Sequence, residues 1–216
     1  SNRLVVSTGH NSLYAYNNGT WQDIGLGGFG CGGNFIHKLA NGRIIVEKNG
    51  YLRDLYISDN NAVSYTNVTN VDNDYFDMIV APNGNIYACG GSNTPSMTGL
   101  IKSTNNGSSF TQINSQLGIS FCSGFAKDCS GSIYAVADNK IFKSIDGNNW
   151  VQHCFIPAFF TATPWYSFLV ISSSGDYYLW SATNTLFGFF KSSDQGVTWV
   201  QITDLPTTVN NVTNLK

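Results

Sequence analysis

Glutamate is nearly missing from this chain: Glu47 is the only one among 13 acidic residues, and arginine is almost as scarce, at Arg3, Arg43 and Arg53. Charged residues of all kinds make up 11% and the formal net charge is −2, so the broad basic surface that supplies most nucleic-acid affinity is absent and DNA and RNA are excluded as partners. No apolar run approaches the ~18 residues of a membrane span; stretches such as FLVI and RIIV are strand-sized. The five cysteines, Cys31, Cys89, Cys122, Cys129 and Cys154, form no CxxC or CxxxC pair, so they signal neither a zinc site nor a disulfide framework, and most of them read as small buried hydrophobes. The three histidines, His10, His37 and His153, lack HExxH spacing, and no GxSxG elbow is present. No resident metal and no cofactor is expected. The first residues, SNRLVV, carry neither an initiator Met nor a charged segment followed by an apolar one. That reads as a chain from which a signal peptide or tag has been removed, and a secreted or extracytoplasmic location is the expectation. What is present suffices for a core: 42% hydrophobic and 14% aromatic residues over 216 positions offset the entropy of folding, and a β chain of this length is expected to be one domain.

The run KSSDQGVTWVQI, residues 191–202, recurs as KSIDGNNWVQH from 143, KSTNNGSSFTQI from 102, YISDNNAVSYTNV from 56 and AYNNGTWQDI from 15. Its aromatics, Trp21, Tyr65, Phe110, Trp150 and Trp199, are spaced by 44, 45, 40 and 49 residues, the period of a four-stranded propeller blade. A second ladder runs out of phase: FIHKLANGRIIV, FDMIVAPNGNIYA, SGFAKDCSGSIYA and SFLVISSSGDYYL each read as strand, tight turn, strand, with turn glycines Gly42, Gly84, Gly131 and Gly175.

In Ser-x-Asp-x-Gly-x-Thr-Trp the Asp side chain can accept hydrogen bonds from turn N–H groups, and the Gly can adopt a positive φ at little cost. The aromatic three residues on opens the next strand and can bury its ring between sheets. Ser192, Asp194, Gly196, Thr198 and Trp199 fit this pattern; Asn105, Gly107 and Phe110 fit it with Asn replacing Asp; Asp146 to Trp150 is one residue shorter, and the copies at 15 and 56 are degenerate. The run resembles the Asp-box, or BNR repeat, of sialidase-like β-propellers, fully at 192–199 and partly at 103 and 144. The resemblance implies that the box is a fold element on the hairpin of strands three and four of a blade, remote from the active face. The box residues are therefore expected to be structural.

The expected fold is all-β: a five-bladed β-propeller of four-stranded antiparallel blades. The blades are placed at about 1–25, 26–69, 70–114, 115–153 and 154–204, making a single domain over 1–216. The first blade lacks an inner strand, and C-terminal residues 208–215 are expected to supply it, closing the ring by pairing of the chain's ends. Strand direction then puts the box and Gly turns at one face and longer, irregular loops at the other.

The sialidase likeness implies three arginines on a carboxylate and a Tyr, Glu and Asp in catalysis. Arg3 and Arg43 start second strands at the turn face, Arg53 lies at the other end, and Glu47 stands alone, so those catalytic residues are absent. A glycosidase needs two carboxyl groups about 5–5.5 Å or 6.5–9.5 Å apart; Asp72, Asp74 and Asp77, with Glu47 and Asp54, are the loop-face candidates. DNDYFD lacks the Gly and terminal Glu of a calcium loop. A non-catalytic carbohydrate site needs flat aromatics and planar amides. The candidates are Trp165, Tyr166 and Tyr75 with Asn34, Asn93 and Asn184, joined by His10 in the loop STGHNS. The expected partner is a glycan. The alternative is a protein ligand, for which the apolar FIPAFFTATPWY is the candidate patch.

Overall fold

The computed structural model describes residues 4–7, 13–24, 36–48, 54–72, 75–90, 99–157, 166–182 and 187–204. It divides into two units, residues 1–80 with 85–113 and residues 81–84 with 114–216. Antiparallel strands dominate both.

The first unit holds three sheets. One consists of β1 (Leu4–Ser7), β2 (Leu13–Asn17) and β3 (Thr20–Asp23). The next contains β4 (Ile36–Lys38), β5 (Ile44–Lys48), β6 (Asp54–Ser58) and β7 (Thr66–Asp72), and the third β8 (Tyr75–Val80), β9 (Ile86–Gly90), β10 (Gly99–Ser103) and β11 (Thr111–Gln112). In the second unit a single helical turn, α1 (Asn114–Leu117), leads into a fourth sheet of β12 (Cys122–Lys127), β13 (Ile133–Ala137), β14 (Lys140–Ser144) and β15 (Val151–Phe155). The fifth sheet is β16 (Tyr166–Ile171), β17 (Tyr177–Ala182), β18 (Phe187–Ser192) and β19 (Val200–Gln201). Within each sheet the strands follow chain order, each pairing antiparallel with the next.

Burial explains why these segments are strands. IYACG of β9 and IYAVA of β13 are buried at every position, the mark of a strand covered on both faces. In β17 burial alternates: Tyr177, Leu179 and Ser181 are buried, Tyr178, Trp180 and Ala182 half-buried. Neighbouring sheets meet through apolar layers. Leu13, Ile44, Val46 and Ala62 join the first sheet to the second, and Ile45, Leu55, Met78, Ile86, Ile101 and Phe110 join the second to the third. Tyr134, Val136, Ile141, Leu169, Tyr177 and Leu179 join the fourth to the fifth. Each fully buried Leu or Ile there contributes about 1.5–3 kcal/mol of transfer free energy. β12 and β16, the first strands of the last two sheets, lie side by side.

Antiparallel order sorts the connections. In each four-stranded sheet the links from first to second and from third to fourth strand fall at one end, the turn end, and the link from second to third strand falls at the other, the loop end. The Gly turns occupy the first kind of link, as in Gly84 N–H to Ala81 O at 2.9 Å and Gly131 N–H to Asp128 O at 3.0 Å. The box-like runs occupy the third-to-fourth links at the same turn end, between β6 and β7, β10 and β11, β14 and β15, and β18 and β19. In the three-stranded sheet the run Asn17–Thr20 links β2 to β3. The segment 208–215, expected to complete that sheet, lies outside the described residues.

Candidate functional site

At the turn end the polar side chains are committed to their own backbone. Ser192 Oγ accepts the Gly196 N–H at 2.7 Å and donates to Asp194 Oδ1 at 2.7 Å. The Asp194 carboxylate accepts the Thr198 N–H at 2.8 Å and the Thr198 hydroxyl at 2.6 Å. Those bonds from Thr198, with that from Ser192, pull its pKa down to about 2. The same arrangement recurs in the third sheet, where Ser103 Oγ accepts from Gly107 N at 2.9 Å and Asn105 Oδ1 accepts from Ser109 N at 3.0 Å. In the fourth, Ser144 Oγ accepts from Gly147 N at 3.0 Å and Asp146 Oδ1 accepts from Asn148 and Asn149 N at 2.8 Å each, holding that carboxyl well below its usual range.

The second sheet carries the same turn in a run that the sequence pattern marks only weakly. Ser58 Oγ accepts from Ala62 N at 3.0 Å, and Asn60 Oδ1 accepts from Val63 and Ser64 N at 3.1 and 3.0 Å. Ala62 takes the glycine's place at φ 63°, a left-handed conformation that costs a residue with a Cβ about 1–2 kcal/mol. At 0% exposure its methyl group fills the layer between the first and second sheets.

Each unit has a polar clasp near these turns. Arg43 in the first unit donates to Asp59 through Nε at 2.5 Å and Nη2 at 2.9 Å, and through Nη1 to Asn106 O at 2.9 Å and Ser108 Oγ at 2.6 Å. Its guanidinium thus ties the turns of the second and third sheets and is occupied by protein. In the second unit His153 Nε2 lies 3.1 Å from Tyr177 Oη, and Tyr134 Oη donates to Asp128 Oδ2 at 2.9 Å. Trp199 Nε1 donates to Phe155 O at 3.1 Å. Burial pushes the Tyr134 and Tyr177 hydroxyls up and the Cys154 thiol up to about 11, so all three stay neutral near pH 7.

A cross-strand pair also repeats: Lys102 sits 5.8 Å over the Tyr87 ring, Lys143 5.0 Å over Tyr134 and Lys191 5.5 Å over Tyr178. Each Lys precedes the Ser of a box-like run, and each Tyr follows the first residue of a second strand. The recurring KS and IYA or DYY in the sequence are its signal.

The loop end is where the ligand residues are expected. Tyr75 and Tyr166 open β8 and β16, opposite Gly90 and Ala182. Trp165, Asn34, Asn93, Asn184 and His10 lie outside the described residues. Of the expected loop-end acids, Glu47 on β5 is 1% exposed and Asp77 on β8 is half-buried, with Oδ1 accepting from Met78 N at 2.9 Å. Asp54 and Asp72 face each other across the β6–β7 ladder, and Asp74 lies outside the described residues. At the loop end of the fourth sheet Asp138 accepts from the Ser120 and Phe121 N–H groups at 3.1 and 3.0 Å, so this carboxylate holds a loop. Among the described residues no group of three His, Cys, Asp or Glu gathers as metal ligands, and no helix is long and apolar enough to cross a membrane. Cys89, Cys122, Cys129 and Cys154 are free thiols.

No protein-family model matches the chain, and no curated protein matches it. Solved structures do. An ancestral GH74 enzyme matches with a TM-score of 0.66 at 17% identity, over 93% of this chain and 29% of that one. YCF48 bound to D1 peptide matches with a TM-score of 0.59 at 16% identity, over 91% of this chain and 62% of that one. PorZ, a bacterial surface component of the type-IX secretion system of Porphyromonas gingivalis, matches with a TM-score of 0.60 at 13% identity, over 93% of this chain and 32% of that one. The chain therefore spans under two thirds of each. Likeness at this identity speaks to the fold, a β-propeller, and to nothing further.

Proposed function

We propose that the chain is a non-catalytic recognition module that binds carbohydrate through the loop ends of its sheets. In this reading it is a five-bladed Asp-box propeller, a single domain over 1–216 in which residues 208–215 supply the missing strand of the first blade. The three-stranded first sheet, beside four sheets of four strands, supports that closure.

One observation carries the functional reading: the polar groups of the repeats are spent on structure. Serine and acid side chains at the turns accept their own backbone N–H groups, and Arg43 is held by Asp59. At the loop end Glu47 is buried and Asp138 caps two N–H groups. A pair of solvated carboxylates poised across one glycosidic bond is not what these positions supply. Aromatic and amide residues, with Tyr75 and Tyr166 opening first strands, are the remaining recognition chemistry. A secreted or extracytoplasmic location suits such a module.

A second reading, a peptide or protein ligand at the same end, draws on YCF48, whose structure is bound to a peptide. A third, glycoside hydrolysis by loop-end carboxylates, draws on the GH74 enzyme. A glycan array with the purified chain, alongside Tyr75→Ala, Tyr166→Ala and Ser192→Ala, separates them. Defined sugar hits that vanish in the tyrosine variants and persist in Ser192→Ala are expected. An array without hits overturns the carbohydrate reading, and turnover of nitrophenyl glycosides overturns the non-catalytic one.

A further inference from the structure

Asn-Gly occurs at four turns among the described residues: Asn18-Gly19, Asn41-Gly42, Asn83-Gly84 and Asn106-Gly107. In each the glycine holds a positive φ. The same pair carries a latent reaction, because a glycine has no Cβ to shield its peptide nitrogen. That nitrogen can attack the preceding asparagine Cγ. A new N–Cγ bond closes a five-membered succinimide, the Cγ–Nδ2 bond breaks, and the peptide proton leaves with the departing ammonia. Water then adds across either imide C–N bond, giving aspartate or, through the side-chain carbonyl, isoaspartate. Attack needs a glycine N–H that can give up its proton and a peptide able to rotate toward Cγ.

Three of the four turns withhold both. Gly42 N donates to Leu39 O at 2.9 Å, and the Asn41 carboxamide oxygen accepts from Arg43 N at 3.1 Å. Gly84 N donates to Ala81 O at 2.9 Å, and the Asn83 carboxamide lies against Gly147. Gly107 N is buried and donates to Ser103 Oγ at 2.9 Å, while Asn106 O accepts from Arg43 Nη1 at 2.9 Å. Asn18-Gly19 differs. It forms the two-residue turn between β2 and β3, closed by the pair Asn17↔Thr20 and by Thr20 Oγ1 donating to Asn17 O at 3.0 Å. With φ at 48° and 87° the turn is of type I′, and both residues are exposed. Among the described residues neither the Asn18 carboxamide nor the Gly19 N–H makes a hydrogen bond.

We propose that Asn18 is a self-modification site, deamidating through a succinimide with Gly19 while the fold protects the other three Asn-Gly pairs. The turn opens at small cost, since β3 is exposed at all four positions and forms the edge of its sheet. The product changes this hairpin. Either form of the residue adds one negative charge to a chain of formal net charge −2. The isoaspartyl form also inserts a methylene into the backbone of a turn whose twist suits its strands at two residues only. The Tyr16 and Trp21 rings, paired across β2 and β3 with centroids 5.1 Å apart, stand next to that insertion.

The test incubates the full chain in mildly alkaline buffer at body temperature, folded and in urea, and follows each site by peptide mass spectrometry. Trypsin places the four pairs in separate peptides, 4–38, 39–43, 54–102 and 103–127, and fragment ions assign the residue that gained mass. In the folded chain Asn18 is expected to convert at least about tenfold faster than the other three, whose glycine N–H must first leave its acceptor. In urea the four rates should converge. Ser103→Ala removes the acceptor of the Gly107 N–H and should speed Asn106 while leaving Asn18 unchanged; if that variant does not fold, the folded and urea rates of the wild type decide. Equal rates at the four sites in the folded chain, the same ranking retained in urea, or no acceleration of Asn106 in folded Ser103→Ala overturns the proposal.

Discussion

Gly196→Ala is the sharpest probe of how the fifth sheet rests on the fourth. Gly196 has φ +88°, and an added Cβ would overlap Cys154 Sγ and stand 3.1 Å from Cys154 Cβ. The left-handed backbone alone costs about 1–2 kcal/mol for a residue with a Cβ. Forcing a methyl group into a filled contact adds about 1–3 kcal/mol. The sum is about 2–5 kcal/mol, which at about 2–4 °C per kcal/mol for a chain of this size lowers Tm by about 4–20 °C. Gly175→Ala is the control: φ is +87° but nothing lies within 4 Å of the new Cβ, so only the backbone cost of about 1–2 kcal/mol applies. Urea unfolding of Gly196→Ala, Gly175→Ala, Cys154→Ala and the Gly196→Ala/Cys154→Ala pair measures both parts. Removing Sγ should recover about 1–2 kcal/mol of the Gly196→Ala loss, a coupling that only residues in contact show. Equal costs for the two glycine variants with full additivity in the cycle would refute the packing of this turn on β15.

Other expectations follow from the same contacts. Asp194 is held ionised down to about pH 2 in the fold, so its contribution is present above the unfolded carboxyl value of about 3.9 and disappears as pH falls through the folded one. Asp194→Asn should flatten the fall of Tm below about pH 4, and an unchanged profile counts against the Thr198 and Ser192 bonds. Arg43→Lys keeps the charge but loses the fork that bridges Asp59, Asn106 and Ser108; a loss of about 1–2 kcal/mol in urea unfolding is expected. Ser103→Ala leaves the buried Gly107 N–H without its acceptor, at a similar cost of about 1–2 kcal/mol by the same measurement.

The turns are the legible part of this sequence because their chemistry is local. An acid or amide, a residue able to take positive φ and an aromatic at fixed offsets determine hydrogen bonds within eight residues, and Asn105 replaces Asp194 without changing the geometry. The run at 58–65 shows where pattern reading falls short. Ala62 breaks the glycine signature, yet burial of its methyl group between two sheets offsets the strained backbone, and that burial depends on distant residues such as Leu13 and Val46. The His153 contact is less visible still, since it needs a skipped residue in the β14–β15 ladder that no local pattern announces. Buried Glu47 is another case: alternation puts it on the face of β5 shared with Ile45, at 1% exposure, which composition alone does not reveal. Most of the expected ligand residues, Trp165, Asn34, Asn93, Asn184 and His10, lie outside the described residues, in runs that carry no recurring motif in the sequence.

Titrating the chain with a sugar identified on the array, and following backbone amide shifts residue by residue, tests where recognition occurs. The account predicts perturbations at the starts of first strands, at Tyr75, Cys122 and Tyr166, and none along 192–199. Shifts centred on Asp194 and Thr198, with the strand starts silent, would contradict it.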